Sequence, residues 1–412
     1  MQEHPREYYL QDSGRLEVVN RGDYIPSSLT LEEKVERALL VSEECIQPEE
    51  LRTLFEKKNV PVCYDGFEPS GRMHIAQGIM KCINVNRLTS CGCVFVFWVA
   101  DWFGMLNGKM GGDLNKIRKV GEYFIHVWRA AGMDLTNVRF IWTSEEINRD
   151  PDGYWIRVMD ICRHNSISRM KRCGQIMGRA EGDDQPAAQI LYPAMQCSDI
   201  FYIGADICQL GMDQRKVNIL AREYADTYNK NYNKYQKQTK KSNDDNNDAA
   251  SPQSAAQSNM YKYRLRKPVI LSHHMLPGLL QGQAKMSKSD PDSAIFMEDS
   301  EDDVRRKIKK AYCPPGVVEE NPCVSYVKLI VLPKLNRFVI TSKAESEERE
   351  KVYDTYEKFE EDYLTGAIHP GDLKQALTNA LNDILQPIRD HFVNDPEAKK
   401  LLEEIRSFKV TN

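Results

Sequence analysis

Apolar positions along this chain alternate between two spacings. Val60, Val62 and Cys63, then Val94–Phe103 (VFVFWVADWF), Val138–Trp142, Ala205–Cys208 and Val269–Ser272 are short, nearly continuous apolar runs. Such runs mark strands buried on both faces of a parallel sheet. Between them apolar residues recur every three or four positions. Ile75, Ile79, Cys82 and Ile83 do so after His74, and Leu114, Ile117, Phe124, Val127 and Ala131 within Leu114–Met133. That is helical spacing. The alternation predicts an α/β fold, a Rossmann-like doubly wound parallel sheet over residues 59–300. Ahead of it, residues 1–28 read as a loose arm, Thr30–Glu33 as a capping box and Pro48 as a helix start, so 1–58 is a small helical preface. From 301 to 412 the chain reads as helical, with Leu373, Leu377, Leu381, Ile384 and Ile388 in one stripe. Two insertions interrupt the sheet region. Residues 154–182 read as helical, and 229–259 (NKNYNKYQKQTKKSNDDNNDAASPQSAAQSN) as disordered, since almost nothing there builds a core.

Composition narrows the picture little. The 412 residues carry a formal net charge of −4, and nothing global announces a nucleic acid. Basic residues cluster at Arg169–Arg172, Lys262–Lys267 and Arg305–Lys310; each suits phosphates, and each suits a solvated face, which is the preferred reading. Eleven cysteines without a CxxC pair predict reduced thiols, neither a disulfide frame nor a zinc site, and no metal-ligating set is read. MQEHPREYYL has no apolar signal region and no run is long enough to span a membrane, so a cytoplasmic location is expected.

Three stretches carry candidate chemistry. In the first, a strand ending near Tyr64 turns through Gly66, Pro69, Ser70 and Gly71 into a helix whose first turn bears His74, Gln77 and Gly78. Strand, glycine turn and helix present N–H groups and a positive helix end to an anion, and two uncharged donors suit a phosphoryl group gaining charge. The plain alternative is a turn in which His74 only caps. In the second, QAKMSKSDP places Lys285, Met286, Ser287, Lys288 and Ser289 in one cationic, hydroxyl-rich loop able to close over a polyphosphate. In the third, a helix starting at Pro186 sets Gln189, Tyr192, Gln196 and Asp199 among apolar residues, a buried polar face that needs partners, most simply a polar ligand, with a satisfied network inside the core as the plain alternative. Gly211, Asp213 and Gln214 follow it.

Together these residues resemble the class I aminoacyl-tRNA synthetases. HIAQ (His74–Gln77) stands where that family has HIGH, with Ala76 and Gln77 as departures, and KMSKS (285–289) is its second motif in full. YDGFEPSGRMHIAQG, ADW with MGGDL, LYPAMQCSD, GMDQRKVN and IHPGDLK with LQPIRDHF are similar to the tyrosyl branch of archaeal and eukaryotic type, over roughly Val60 to the C-terminus. The resemblance implies activation of L-tyrosine with ATP, transfer to tRNA, a helical anticodon-binding domain over 301–412, and Mg2+ carried with ATP. It implies a homodimer, with 154–182 as a contact. By resemblance Tyr64 and Asp199 grip the substrate phenol, and Tyr192, Gln196 and Gln214 hold its amino end. It likewise gives ATP to Gly66, Ser70, Gly71, His74, Gln77, Gly78, Gly211, Asp213 and Lys285–Ser289, with His74, Gln77, Lys285 and Lys288 catalytic. Cys208 stands where many relatives carry glutamine, and Gln209 is a possible substitute. The residues agree: a phenol hydroxyl is one donor and one acceptor, which Asp199 and Tyr64 can meet. A tryptophanyl enzyme, a nucleotidylyltransferase and a non-catalytic RNA-binding paralogue remain alternatives; Tyr64/Asp199, KMSKS and the two lysines argue against each in turn.

Overall fold

The computed structural model describes residues 25–174, 186–244, 261, 263–283, 286, 291–344 and 347–408. They form two compact units interleaved in sequence: Met1–Glu68, Leu88–Asn107 and Thr136–His274 in the first, Pro69–Arg87, Gly108–Leu135 and Met275–Asn412 in the second. The boundary expected at 300/301 therefore falls inside the second unit.

The first unit is built on a six-stranded sheet. Its strands are β1 (Glu44–Ile46), β2 (Val62–Phe67), β3 (Val94–Val99), β4 (Val138–Trp142), β5 (Ile207–Cys208) and β6 (Val269–Ser272). They lie in the order β1-β6-β5-β2-β3-β4, parallel except for β1 against β6. Chain order runs outward from β2 in both directions, so β2 and β5 flank the switch point of a doubly wound sheet, where ligands enter at the carboxyl ends of strands. Every residue of β3 is buried, as its unbroken apolar run requires. The run does not continue to Phe103, however. Asp101 starts a helix, Asp101–Leu106, by accepting the Trp102 and Ser144 N–H groups and the Ser144 hydroxyl at 2.6 Å. The preface contributes more than helices. Thr30 and Glu33 make the expected capping box, and β1 covers the edge of β6. Asp206, buried just ahead of β5, accepts the Val62 N–H at 2.8 Å and pairs with Lys58, which fixes where β2 begins.

The low-complexity insertion departs from expectation. One helix runs from Arg215 through Asp244, so its first sixteen residues are helical, while 245–259 lie outside the described residues. Tyr228, Tyr232 and Tyr235 explain this: at helical spacing they form an aromatic stripe against the core, and Asn229 bonds both backbone groups of Leu265 at 2.8 and 2.9 Å. The residues that looked like disorder-promoting polar filler are interleaved with anchors.

In the second unit the segment Met73–Ile75 pairs with Ile295–Met297: Ile75 N–H donates to Ile295 at 2.8 Å and Met297 N–H to Met73 at 2.9 Å. A helix then opens with a π turn, Ala76–Met80, and continues as Lys81–Ser90. Behind it lies a buried ionic cluster. Arg72 holds Glu298 and, at 3.1 Å, Asp299; Lys307 reaches Asp299 at 2.6 Å; Tyr123 donates to Glu298 at 2.8 Å. The helix Pro370–Asn394 buries the predicted stripe of Leu373, Leu377, Leu381, Ile384 and Ile388. The region from 301 is not wholly helical: β7 (Phe338–Ala344) and β8 (Glu347–Tyr353) form an antiparallel hairpin. Phe338 and Ile340 face inward, but EEREK gives β8 a charge pattern that reads as a helix surface.

One close contact is testable. A Cβ on Gly78 would stand 2.2 Å from the Met297 sulfur, and Met297 is fully buried. Gly78→Ala is expected to lower unfolding stability by about 1–3 kcal/mol in urea titration. The same change in a Met297→Ala background should cost much less; an equal cost would contradict the packing account.

Candidate active site

In the first unit, β2 brings Tyr64 to the switch point, in register with Val96 of β3 and Cys208 of β5. A Cβ on Gly66 would meet the Tyr64 hydroxyl at 2.8 Å, so glycine there keeps the space around that oxygen clear. The helix Ala188–Ile203 buries Gln189, Tyr192, Gln196 and Asp199, the polar face foreseen from the sequence. Asp199 is 1% exposed and accepts from the Tyr154 hydroxyl at 2.8 Å. Burial pushes the Asp199 carboxyl well above the usual carboxylate range, and the Tyr154 hydroxyl pulls it part of the way back. Near it the Trp98 indole nitrogen is buried without a hydrogen-bond partner, although the indole dipole also favours the carboxylate. Burial, then the Asp199 charge, raises the Tyr64 phenol. A carboxyl held upward is not confined to accepting: in its neutral form it offers one donor as well.

The remaining tyrosine-site candidates fall into pairs. The Tyr192 hydroxyl donates to Glu68 at 2.5 Å, and the Asn107 amide reaches the same carboxylate at 3.1 and 3.3 Å. The Gln196 amide donates to Gln214 Oε1 at 3.0 Å. Asp213 is exposed in the turn Met212–Gln214, and Gly211 makes a bridge to His273. Gln209 follows the strand, fully buried, with its amide 2.9 Å from His273 Nδ1. Burial raises the Cys197 and Cys208 thiols well above their ordinary value, so both stay uncharged near Tyr64.

Sequence reasoning missed Tyr154, Glu68 and Trp98. Tyr154 lies on the apolar stripe of the helix Pro151–Arg163 with Val158 and Ile161, where a tyrosine reads as core. It is fully buried, and so is not part of a surface contact expected over 154–182. Glu68 carried a usable signal, an acid at the end of a parallel strand next to a glycine-rich turn.

In the second unit Gly71 has φ +91°, a left-handed turn that a Cβ would strain. The helix start does not offer a row of free N–H groups. Ile75 N–H is taken by Ile295, Gln77 N–H by His74 Nδ1 at 3.4 Å, and Gly78 N–H by His74 O at 3.0 Å. His74 does cap, as the plain alternative held, and any anion contact falls to side chains. The Gln77 side-chain oxygen is buried without a partner, and a half-turn of that amide would present its N–H groups instead. Ser70 lies half-buried beside Gly71. Of the loop motif, Met286 is described; Lys285, Ser287, Lys288 and Ser289 lie outside the described residues.

The basic clusters are largely neutralised at home. Arg169 pairs with Glu223 at 2.7 Å and Lys267 with Asp226 at 2.9 Å. Arg306 and Lys310 both meet Asp292, and Lys307 is buried on Asp299. Among the described residues no helix is long and apolar enough to cross a membrane.

Comparison with known proteins bears on the whole chain. The family model for class I tRNA synthetases (W and Y) matches residues 56–386. Cytoplasmic tyrosine–tRNA ligase 1 of Arabidopsis thaliana is 57% identical over 371 residues, 90% of this chain and 87% of that relative. The structure of Leishmania major tyrosyl-tRNA synthetase with tyrosinol superposes with a TM-score of 0.79 at 47% identity; it covers 92% of this chain, which spans 53% of that one. Tyrosyl-tRNA synthetase from Pyrococcus horikoshii, complexed with L-tyrosine, gives a TM-score of 0.76 at 31% identity over 91% of this chain and 100% of its own. On the sheet topology, the two motifs and these matches, the chain belongs to the class I aminoacyl-tRNA synthetases, in the tyrosyl-tRNA synthetase family.

Proposed function

We propose that this chain is a cytoplasmic tyrosine–tRNA ligase whose specificity rests on Asp199 and Tyr64. Tyrosine carboxylate attacks the α-phosphorus of ATP, pyrophosphate leaves, and the adenylate acylates the 3′-terminal ribose of tRNA. The carboxylate is already a nucleophile, so catalysis is alignment and charge stabilisation. The observation that carries the reading is a carboxyl, 1% exposed, close enough to Tyr64 for its charge to raise that phenol, with the space at the Tyr64 hydroxyl kept clear by Gly66. A site built to bond a substrate hydroxyl rejects the analogue lacking it, because its buried polar groups are then unpaired; tyrosine against phenylalanine in this enzyme family is itself the standard instance of that rule.

Other roles follow from the bonding already made. An ammonium has three donors and needs acceptors. With its proton given to Glu68, the Tyr192 oxygen can accept, and Gln196, whose amide N–H serves Gln214, keeps its carbonyl for the same purpose. Asp213 is assigned to the ribose. ATP is assigned to Gly66, Ser70, Gly71, Gly78, Gly211, Met286, Ser287 and Ser289, although the open side of Gly78 is filled by Met297. His74 and Gln77 serve the phosphoryl oxygens, Lys285 and Lys288 the pyrophosphate. Magnesium is assigned to the ATP phosphates. The one group of three metal-ligating side chains among the described residues is nitrogen-rich, unsuited to a hard oxygen-seeking ion. Residues 301–412 are assigned to the anticodon. Dimerisation is supported by Met159 and Ile167, apolar side chains left 61% and 64% exposed on neighbouring helices.

Amino-acid-dependent exchange of labelled pyrophosphate into ATP tests the reading. Exchange with tyrosine and not with tryptophan or phenylalanine is expected; exchange with tryptophan would overturn the pocket assignment. Lys288→Ala should slow adenylate formation at least about 100-fold while changing tyrosine affinity little, read by pre-steady-state fluorescence. Equal losses in both would contradict the role given to Lys288. Asp199→Asn separates function from stability. A carboxyl whose folded pKa is raised leaves the protein most stable below the unfolded value and costs stability as pH rises through the interval up to the folded one. The variant lacks that cost. Its melting temperature relative to the parent should therefore rise from acid toward neutral pH, while tyrosine binding is lost; a difference flat with pH would refute the raised carboxyl.

A further inference from the structure

Away from the residues assigned above, the second unit brings together three side chains with no part in the proposed chemistry. His126 lies on the helix Leu114–Ala130, His391 in the last turn of Pro370–Asn394, and Asp395 joins that helix to Pro396–Ser407. His126 Nδ1 and His391 Nε2 stand 3.0 Å apart, and one ligand atom from each of the three residues lies within 4.8 Å of the others. All three are partly accessible, and a cavity of about 700 Å³ borders His391 and Asp395. Asp395 is already oriented: its Oδ1 accepts the N–H groups of Glu397 and Ala398, both at 3.0 Å, which leaves Oδ2 for another partner. Phe392, against His391, and Tyr123 wall one side of the cluster.

We propose that His126, His391 and Asp395 form a divalent transition-metal site, best suited to Zn2+, that clamps the helix Leu114–Ala130 to Pro370–Asn394. Zinc takes imidazole nitrogen at about 2.0–2.1 Å, so two imidazoles at a tetrahedral angle have their nitrogens about 3.3 Å apart. The nitrogens need to part by a few tenths of an ångström, and the rings, now hydrogen-bonded to each other, to turn so that both lone pairs converge on the ion. Two nitrogens and a carboxylate oxygen select zinc, cobalt or nickel over magnesium or calcium, and water from the cavity completes four-coordination. The ligands come from two helices and the junction to a third within one unit, so the ion would hold together the packing that also contains the His74 segment. Occupied, the site resists unfolding in proportion to free metal.

The test uses the full chain stripped with a chelator. Calorimetric titration with Zn2+ should show one saturable site. Co2+ should give a visible tetrahedral spectrum without a thiolate charge-transfer band, and Zn2+ should raise the melting temperature by several degrees. His126→Gln and His391→Gln should each abolish the melting shift. Asp395→Asn separates ligation from folding, since asparagine caps a helix as well as aspartate. Its metal-free melting point should match the parent while Zn2+ affinity falls about 10-fold or more. No uptake by the parent, uptake unchanged in the histidine variants, or a Co2+ spectrum dominated by thiolate would each overturn the site, leaving a hydrogen-bonded histidine pair.

Discussion

Taking an ionisable carboxyl out of water costs several kcal/mol unless donors meet it, and Asp199 is where the first unit meets that demand. The Tyr154 hydroxyl has to be inside to reach it, which seats the helix Pro151–Arg163 against Ala188–Ile203. Tyr202, packed edge-on to Tyr154, sends its own hydroxyl to Glu146 O at 2.9 Å. The next helix is thereby drawn into the same layer. Cys197 and Cys208 complete a wall of thiols that neither donate strongly nor ionise. Each neighbour makes sense as a way to keep one carboxyl dry and still partnered.

The second unit solves a different problem with charges of both signs. Glu298 and Asp299 are buried, and Arg72, Lys307 and Tyr123 surround them, with Phe296 beneath both cations at 4.4 and 4.8 Å. Buried ion pairs are weak evidence of net stability, but removing one partner is costly, so they fix register. Here the register concerns His74, bridged to Phe296. The segment carrying the first motif and the one following the second are tied by backbone bonds and by this cluster. It also accounts for the central lysine of the basic run at 305–310, which is buried on Asp299.

Much of this was legible in sequence, and the exceptions have common causes. Val138–Trp142 and Val269–Ser272 are strands at their predicted limits, and the stripe from Leu373 to Ile388 is buried, because long apolar patterns report burial directly. The helix through Asp244 was hidden because three tyrosines among asparagines and lysines carry the packing, and composition averages them away. The β8 strand was hidden because its partner, not its own residues, makes it extended. Tyr154 was hidden because a tyrosine on an apolar helical stripe reads as core, whereas Glu68, an acid at the end of a parallel strand, could have been found. His126 and His391, 265 positions apart, could be joined by no spacing rule.

The π turn at Ala76–Met80 leaves a mark on the chemistry of His74, two residues ahead of it. His74 Nδ1 accepts the Gln77 N–H, so the ring's proton is confined to Nε2 and a single tautomer is selected. A second proton on Nδ1 would set two N–H groups against each other and break the cap. The ring therefore stands at the start of the helix with Nδ1 turned inward as the acceptor of the cap and Nε2 presenting its N–H outward.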